Sequence, residues 1–180
     1  MKQDITLRYV LFIAIAVTAT WLLHEFAHWA MGEYLGYDMA LTLNTSYPVI
    51  NRYKMPIDYQ FVTIAGPLVT IIQAIVVFIL LKRKSNIYLF AILLTCFYMR
   101  LMAMALSVSN PNDEARFGEY LGIGKFTLPL IVNLFLFCLV YNIVKQHRFK
   151  TRFIAITFAL IILFSSVIIL SDQYFKIRLL

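Results

Sequence analysis

Three ionisable residues interrupt the apolar stretch Trp21-Leu22-Leu23-His24-Glu25-Phe26-Ala27-His28-Trp29. Their order is HExxH. Four residues apart on a helix, His24 and His28 share a face, where two imidazole nitrogens can bind one Zn²⁺ at about 2.0–2.1 Å. Glu25 stands beside them, placed to take a proton from a metal-activated water and pass it to a leaving amine. The bland alternative is a polar cluster that hydrogen-bonds neighbouring helices. The setting favours chemistry, because a charge at the centre of a membrane-spanning helix costs about 2.5–3.5 kcal/mol on insertion scales and such residues are usually kept for function.

A catalytic zinc takes three protein ligands and keeps one open position. The only other histidine, His147, lies in the basic stretch from Lys145 to Arg152. It is expected at the opposite side of the molecule from the motif, as a solvated loop residue. A metzincin-type extension would need histidine where Tyr34 stands. A carboxylate is therefore expected as the third ligand, with Asp38, Asp58, Asp113, Glu114 and Glu119 as candidates. The segment Ser109-Asn110-Pro111-Asn112-Asp113-Glu114 stands out because it directly follows an apolar span. Its proline lacks an N–H and its Asn and Asp side chains compete for backbone hydrogen bonds, which suits a ligand-bearing break in a helix. An ordinary interfacial turn has the same composition.

The elements that must position these residues are membrane spans. Of the 180 residues, 62% are hydrophobic and 14% charged, well outside the soluble globular range. A hydrocarbon core about 30 Å thick needs roughly 20 apolar residues to cross as a helix. Five stretches qualify: Tyr9 to Met31, Tyr59 to Leu81, Ile87 to Val108, Phe126 to Val144 and Phe153 to Leu170. The expected fold is an all-α polytopic bundle of about five transmembrane helices, forming one integral membrane domain over residues 1–180. The longest connection, Gly32 to Asp58, contains Met39 to Val49, where Leu41 and Leu43 alternate with Thr42 and Asn44. That pattern suits a short edge strand, of the kind proteases use to hold an extended substrate. A surface loop fits it equally.

Lys2 and Arg8 ahead of an apolar run give the first span the look of a signal peptide, but the helical pattern continues through Trp21, Leu22 and Leu23, so cleavage is not expected. The net charge of +7 comes without a basic face interleaved with aromatics, which argues against nucleic acid as a partner. Lys2 and Arg8, Lys82 to Lys84, and Lys145 to Arg152 fall on one side of a five-span chain. This places the N-terminus in the cytoplasm and the C-terminus outside. Cys96 and Cys138, single in separate spans, read as packing residues. Gln73 and Asn133 read as interhelical hydrogen bonders. Arg100 must find a carboxylate, a carbonyl or a water-filled cavity, usually as a structural pair, though it could stabilise a substrate oxyanion.

His24-Glu25-Phe26-Ala27-His28 in one span, Ala65-Gly66-Pro67 early in the next and Asn110-Pro111-Asn112-Asp113 after the third together resemble the site-2 protease (M50) family of intramembrane zinc metalloproteases. The resemblance covers about the first two-thirds of the chain. It implies His24, His28 and Asp113 as ligands of one zinc per chain, with Glu25 as catalytic base. The family places glycine after the aspartate, where this chain has Glu114, so Glu114 stands as an alternative third ligand. The family also directs its active site toward the cytosol, opposite to the charge-based orientation. Independently of family, Gly66 would let helices approach closely and Pro67 would free backbone groups.

The expected function is thus hydrolysis of peptide bonds in or beside transmembrane segments of membrane proteins, or of signal-peptide remnants, in a bacterial inner membrane. The expected partners are a transmembrane protein substrate and the lipid bilayer. A membrane metalloenzyme acting on lipid or lipoprotein acyl groups would use the same residues, and a transporter or adaptor is the non-enzymatic alternative. No PDZ-like insertion interrupts the chain.

Overall fold

The computed structural model describes residues 3–50 and 52–180. Lys2, counted above among the basic residues, lies outside them. Among the described residues the order is α1 (Leu7–Tyr34), β1 (Met39–Leu41), β2 (Ser46–Pro48), α2 (Pro56–Arg83), α3 (Ile87–Leu106), α4 (Asp113–Tyr120), α5 (Thr127–His147) and α6 (Thr151–Phe175). Five of these helices, all but α4, are long and apolar enough to cross a membrane, and they coincide with the five stretches read from sequence.

Their surfaces bear out a multi-pass membrane protein. Leu130, Ile131 and Leu134 on α5, Leu163 and Val167 on α6, and Ile72 and Val76 on α2 are exposed. Rows of apolar side chains of this kind suit lipid rather than water, and a helix pairs its own backbone polar groups there. α3 is the most enclosed of the five. Its Phe90, Leu93, Leu94 and Cys96 pack with Tyr9, Ile13 and Val17 of α1, Leu136 of α5 and Ile161 of α6. Cys96 is thus a core residue as expected, whereas Cys138 is exposed on the outer surface of α5, because the apolar stripe of that helix facing lipid is wider than the one facing the bundle.

Polar side chains inside the bundle pair across helices. Gln73 Nε2 donates to Thr20 Oγ1 at 3.1 Å, joining α2 to α1. Asn133 Nδ2 donates to the Arg100 carbonyl at 3.0 Å, joining α5 to α3. Thr157 gives its hydroxyl proton to Phe153 O, so Tyr9 is the donor in the 3.0 Å Tyr9–Thr157 contact between α1 and α6.

The start of α1, the α2–α3 turn and the α5–α6 turn meet at one end of the bundle. There Lys150 N donates to Gln3 Oε1 at 2.8 Å and Gln146 Nε2 to Lys82 O at 3.1 Å. Arg8, Lys82 to Lys84 and the basic residues from Lys145 to Arg152 therefore lie at this end, while Lys54, Arg116, Lys125, Lys176 and Arg178 belong to segments toward the other. His147 corrects a detail: it is the last residue of α5, half-buried, with Nε2 donating to Leu81 O at 2.7 Å. A carbonyl left free near the end of α2 is what draws it in.

At the other end, β1 and β2 form an antiparallel hairpin, with Ala40 opposite Tyr47. It is seated on the last turns of α1: Trp29 Nε1 donates to Met39 O at 3.2 Å, and Met39 N to Glu33 Oε1 at 2.8 Å. Trp21 Nε1 reaches Asn44 Oδ1 at 2.6 Å and holds the turn. A Cβ at Gly32 would stand 2.5 Å from Met39 Sδ, so glycine is required for this contact. The outer edge of β1 is also occupied. Leu41 N donates to Leu180 O at 3.1 Å, and Leu41 O accepts from Leu179 N at 2.7 Å.

Candidate metal centre

His24 lies ten residues before the end of α1, about 15 Å inside the helix terminus at 1.5 Å per residue. The i, i+4 spacing sets both imidazoles on the face that meets α2 and α4. The three atoms that converge are His24 Nε2, His28 Nε2 and Asp113 Oδ2. Their separations are 3.1 Å between the nitrogens and 3.3 and 3.6 Å to the carboxylate oxygen.

A tetrahedral ion with ligands at 2.0–2.1 Å requires ligand–ligand edges of about 3.3 Å. The three separations bracket that value. The residues present therefore fit one zinc held by His24, His28 and Asp113, the only group of three or more metal-ligating side chains found among the described residues.

Charge agrees with geometry. Asp113, Glu114 and Glu25 contribute three carboxylates and Arg100 one guanidinium, and all four are buried or nearly so. Their formal sum is two negative charges in excess, which a divalent cation would close.

α2 fixes the histidines from behind. His28 Nδ1 lies 2.6 Å from Val62 O, a pure acceptor, so Nδ1 carries the proton. Thr70 Oγ1 donates its one proton to Gly66 O at 3.1 Å and must accept from His24 Nδ1 at 3.0 Å. Both rings are thereby set with an Nε2 lone pair facing the cluster, the outer-shell arrangement typical of metal-ligating histidine.

This support depends on close approach. A Cβ at Gly66 would stand 2.3 Å from His28 Nε2 and 2.5 Å from His24 Cε1. Gly66 is thus the point where α2 lies flat against the rings of His24 and His28. Pro67 has no N–H to offer the Thr63 carbonyl one turn back, and Thr63 lines the same cavity as the histidines.

Asp113 is delivered by the turn after α3. Ser107 N and Oγ both donate to Ala103 O, at 3.0 and 2.7 Å, and Asn112 Nδ2 joins them at 3.3 Å. Asn112 N donates to Ser107 Oγ at 3.0 Å. With Pro111 unable to continue the helix, the chain reverses and restarts as α4 at Asp113. A first-turn acidic residue is favoured there by the helix dipole.

The consecutive acids then diverge. Asp113 faces the histidines, while Glu114 Oε1 accepts from Arg100 Nη1 at 3.1 Å in a pair that is almost fully buried on both sides. The remaining carboxylate candidates are engaged elsewhere or exposed. Asp58 accepts from the Tyr37 hydroxyl, Asp38 pairs with Arg178 at 3.8 Å, and Glu119 is exposed. Tyr34 is 86% exposed and distant from this chemistry.

The cluster opens on a cavity of about 480 Å³, lined among others by Glu25, Arg100, Asn44, Ser46 and Gln173. That volume lies in the range of ordinary small-ligand sites. Sequence reasoning missed Thr70 and Val62. A threonine four residues after the noted Gly66 was the available signal for the first, and a backbone carbonyl gives none. No protein-family model, curated protein or solved structure matches this chain.

Proposed function

We propose that this chain is a membrane zinc metalloprotease resembling the site-2 proteases, with His24, His28 and Asp113 holding one zinc and Glu25 as the catalytic base. The observation that carries the reading is the set of three ligand-atom separations, 3.1, 3.3 and 3.6 Å. It is reinforced by two histidines whose tautomers are already fixed for metal.

When bound, zinc supplies a Lewis acid that polarises a carbonyl and makes water a nucleophile near neutral pH. Glu25, buried and lining the cavity, takes the proton as the water oxygen bonds to the carbonyl carbon. It returns that proton to the nitrogen as the C–N bond breaks.

A helical substrate hides its carbonyls, so the transmembrane segment must unwind to be cut. The hairpin offers an edge for the unwound strand. Ser46 of β2 lines the cavity, whereas the outer edge of β1 is taken by residues 179–180, so β2 is the edge we assign to substrate. The end of the bundle that gathers most of the basic residues belongs in the cytoplasm on the charge rule.

The test is elemental analysis of detergent-purified protein beside cleavage of transmembrane peptides in proteoliposomes. The proposal expects about one zinc per chain, lost in His28→Ala and Asp113→Ala, and a Glu25→Gln variant that keeps zinc but does not cleave. Turnover of labelled lipid without peptide cleavage would move the chemistry to acyl groups. Wild-type protein without zinc would remove the enzyme reading altogether.

A further inference from the structure

We propose that Arg100 is a catalytic residue of this centre: its guanidinium donates a hydrogen bond to the scissile carbonyl oxygen as that oxygen becomes negative. The inference rests on the protease reading above and assigns a group that the zinc ligands and Glu25 leave unused.

Arg100 is 4% exposed on α3, and its backbone carbonyl is held by Asn133 of α5. Nη1 donates to Glu114 Oε1 at 3.1 Å and stands 3.6 Å from Asp113 Oδ2. Nη2 is 3.4 Å from His24 Nε2, and Nε has no hydrogen-bond partner. A guanidinium presents five N–H donors in a rigid fork. A purely structural pair with Glu114 would engage one edge of that fork. Here Nη2 is turned instead to His24 Nε2, and Arg100 is among the residues that line the cavity.

The acceptor that Nη2 now has is not a lasting one. The Thr70–His24 hydrogen bond fixes the proton on Nδ1, so the only lone pair His24 can offer is the one a metal would take. Once His24 is a ligand, an Nη2 N–H is left without an acceptor beside the cavity, together with the already unpartnered Nε. Buried donors on a charged group without partners are costly. A substrate oxygen entering the cavity supplies the missing acceptor, and it accepts most strongly when negative.

The timing suits catalysis. As the water oxygen bonds to the carbonyl carbon, its proton passes to Glu25 and the C=O π pair moves onto the carbonyl oxygen, where Arg100 meets it. The pair returns to carbon as the C–N bond breaks. Glu114 makes the arrangement tolerable by neutralising a cation that would otherwise stand unpaired beside a divalent ion. Donors of this kind are worth about 10²–10³ in turnover.

The test avoids the unknown substrate. Full-length protein in detergent is loaded with Co²⁺, and its visible spectrum is titrated with acetohydroxamate, an anionic oxygen ligand, and with imidazole, a neutral one. In Arg100→Gln we expect unchanged cobalt content, unchanged imidazole affinity and acetohydroxamate binding weakened about 10- to 100-fold, the worth of a charge-assisted hydrogen bond. Arg100→Lys, which keeps the charge, should fall between. Equal losses for both ligands, no loss for either, or cobalt lost from both variants would overturn the proposal while leaving the metal site standing. Wild-type protein that takes up no cobalt would overturn the metal reading and this proposal with it.

Discussion

The α2 backbone at Gly66 lies so close to the ring of His28 that a methyl group added there would stand 2.3 Å from Nε2. The nearest atoms belong to the two histidines themselves, so any accommodation must displace a proposed ligand or the helix that orients it. Gly66→Ala should therefore lower zinc affinity at least as much as loss of an outer-shell partner, roughly 10- to 100-fold, while far-ultraviolet circular dichroism stays that of a folded bundle. Competition with a chromophoric chelator measures it. Unchanged affinity would mean that the rings lie elsewhere when metal is bound.

Thr70 acts on the same ring through a single hydrogen bond. Thr70→Val keeps the shape and β-branching but removes the acceptor for His24 Nδ1–H, leaving a buried imidazole free to choose the wrong tautomer. Zinc affinity should fall roughly 10-fold or more, and the thermal midpoint should fall with it, since a buried His24 Nδ1–H loses its acceptor. If Thr70→Val and Thr70→Ala bound zinc as tightly as wild type, α2 would not be orienting His24.

How much of this was legible in sequence follows the range of each interaction. The five spans showed because 18 or more consecutive apolar residues are a local signal, and His24 and His28 showed because helical spacing alone pairs them. α1 and α2 run several residues past the predicted ends, at Tyr34 and Pro56, because interfacial polar residues stay helical outside the apolar run. α4 was read as a break and is a break followed by eight helical residues. The signal for it was Asn112 before Asp113 and Glu114, a capping residue ahead of first-turn acids. The partner of Arg100 was not legible, because Glu114 reaches it only after Ser107 and Asn112 have folded the turn back onto Ala103.

Adjacent acids with separate duties make a sharp comparison. Asp113→Asn should lose zinc, because the oxygen 3.3 Å from His24 Nε2 is the proposed third ligand. Glu114→Gln should keep zinc but lose stability, since it leaves the Arg100 charge buried and uncompensated. Breaking a buried pair in this way costs about 3–5 kcal/mol. Elemental analysis and thermal unfolding in one detergent separate the two. Loss of zinc from Glu114→Gln with Asp113→Asn unaffected would reverse the assignment.

The outer edge of β1 gives the last prediction. Leu179 N donates to Leu41 O at 2.7 Å, and Leu41 N donates to Leu180 O, so the segment after α6 lies along the strand on the side away from β2. Proline has no N–H, so Leu179→Pro removes one donor and bends the segment off the edge. A hydrogen bond of this kind contributes about 0.5–1.5 kcal/mol. Amide exchange of a peptide covering residues 39–43 should accordingly quicken by roughly 2- to 10-fold. Zinc content should not change, because the proposed metal ligands sit on α1 and α4, and exchange over β2 should change less. Equal acceleration across both strands would mean that the tail holds the whole hairpin on α1, whereas no acceleration at residues 39–43 would remove the tail from the β1 edge and leave that edge, too, open to an extended substrate.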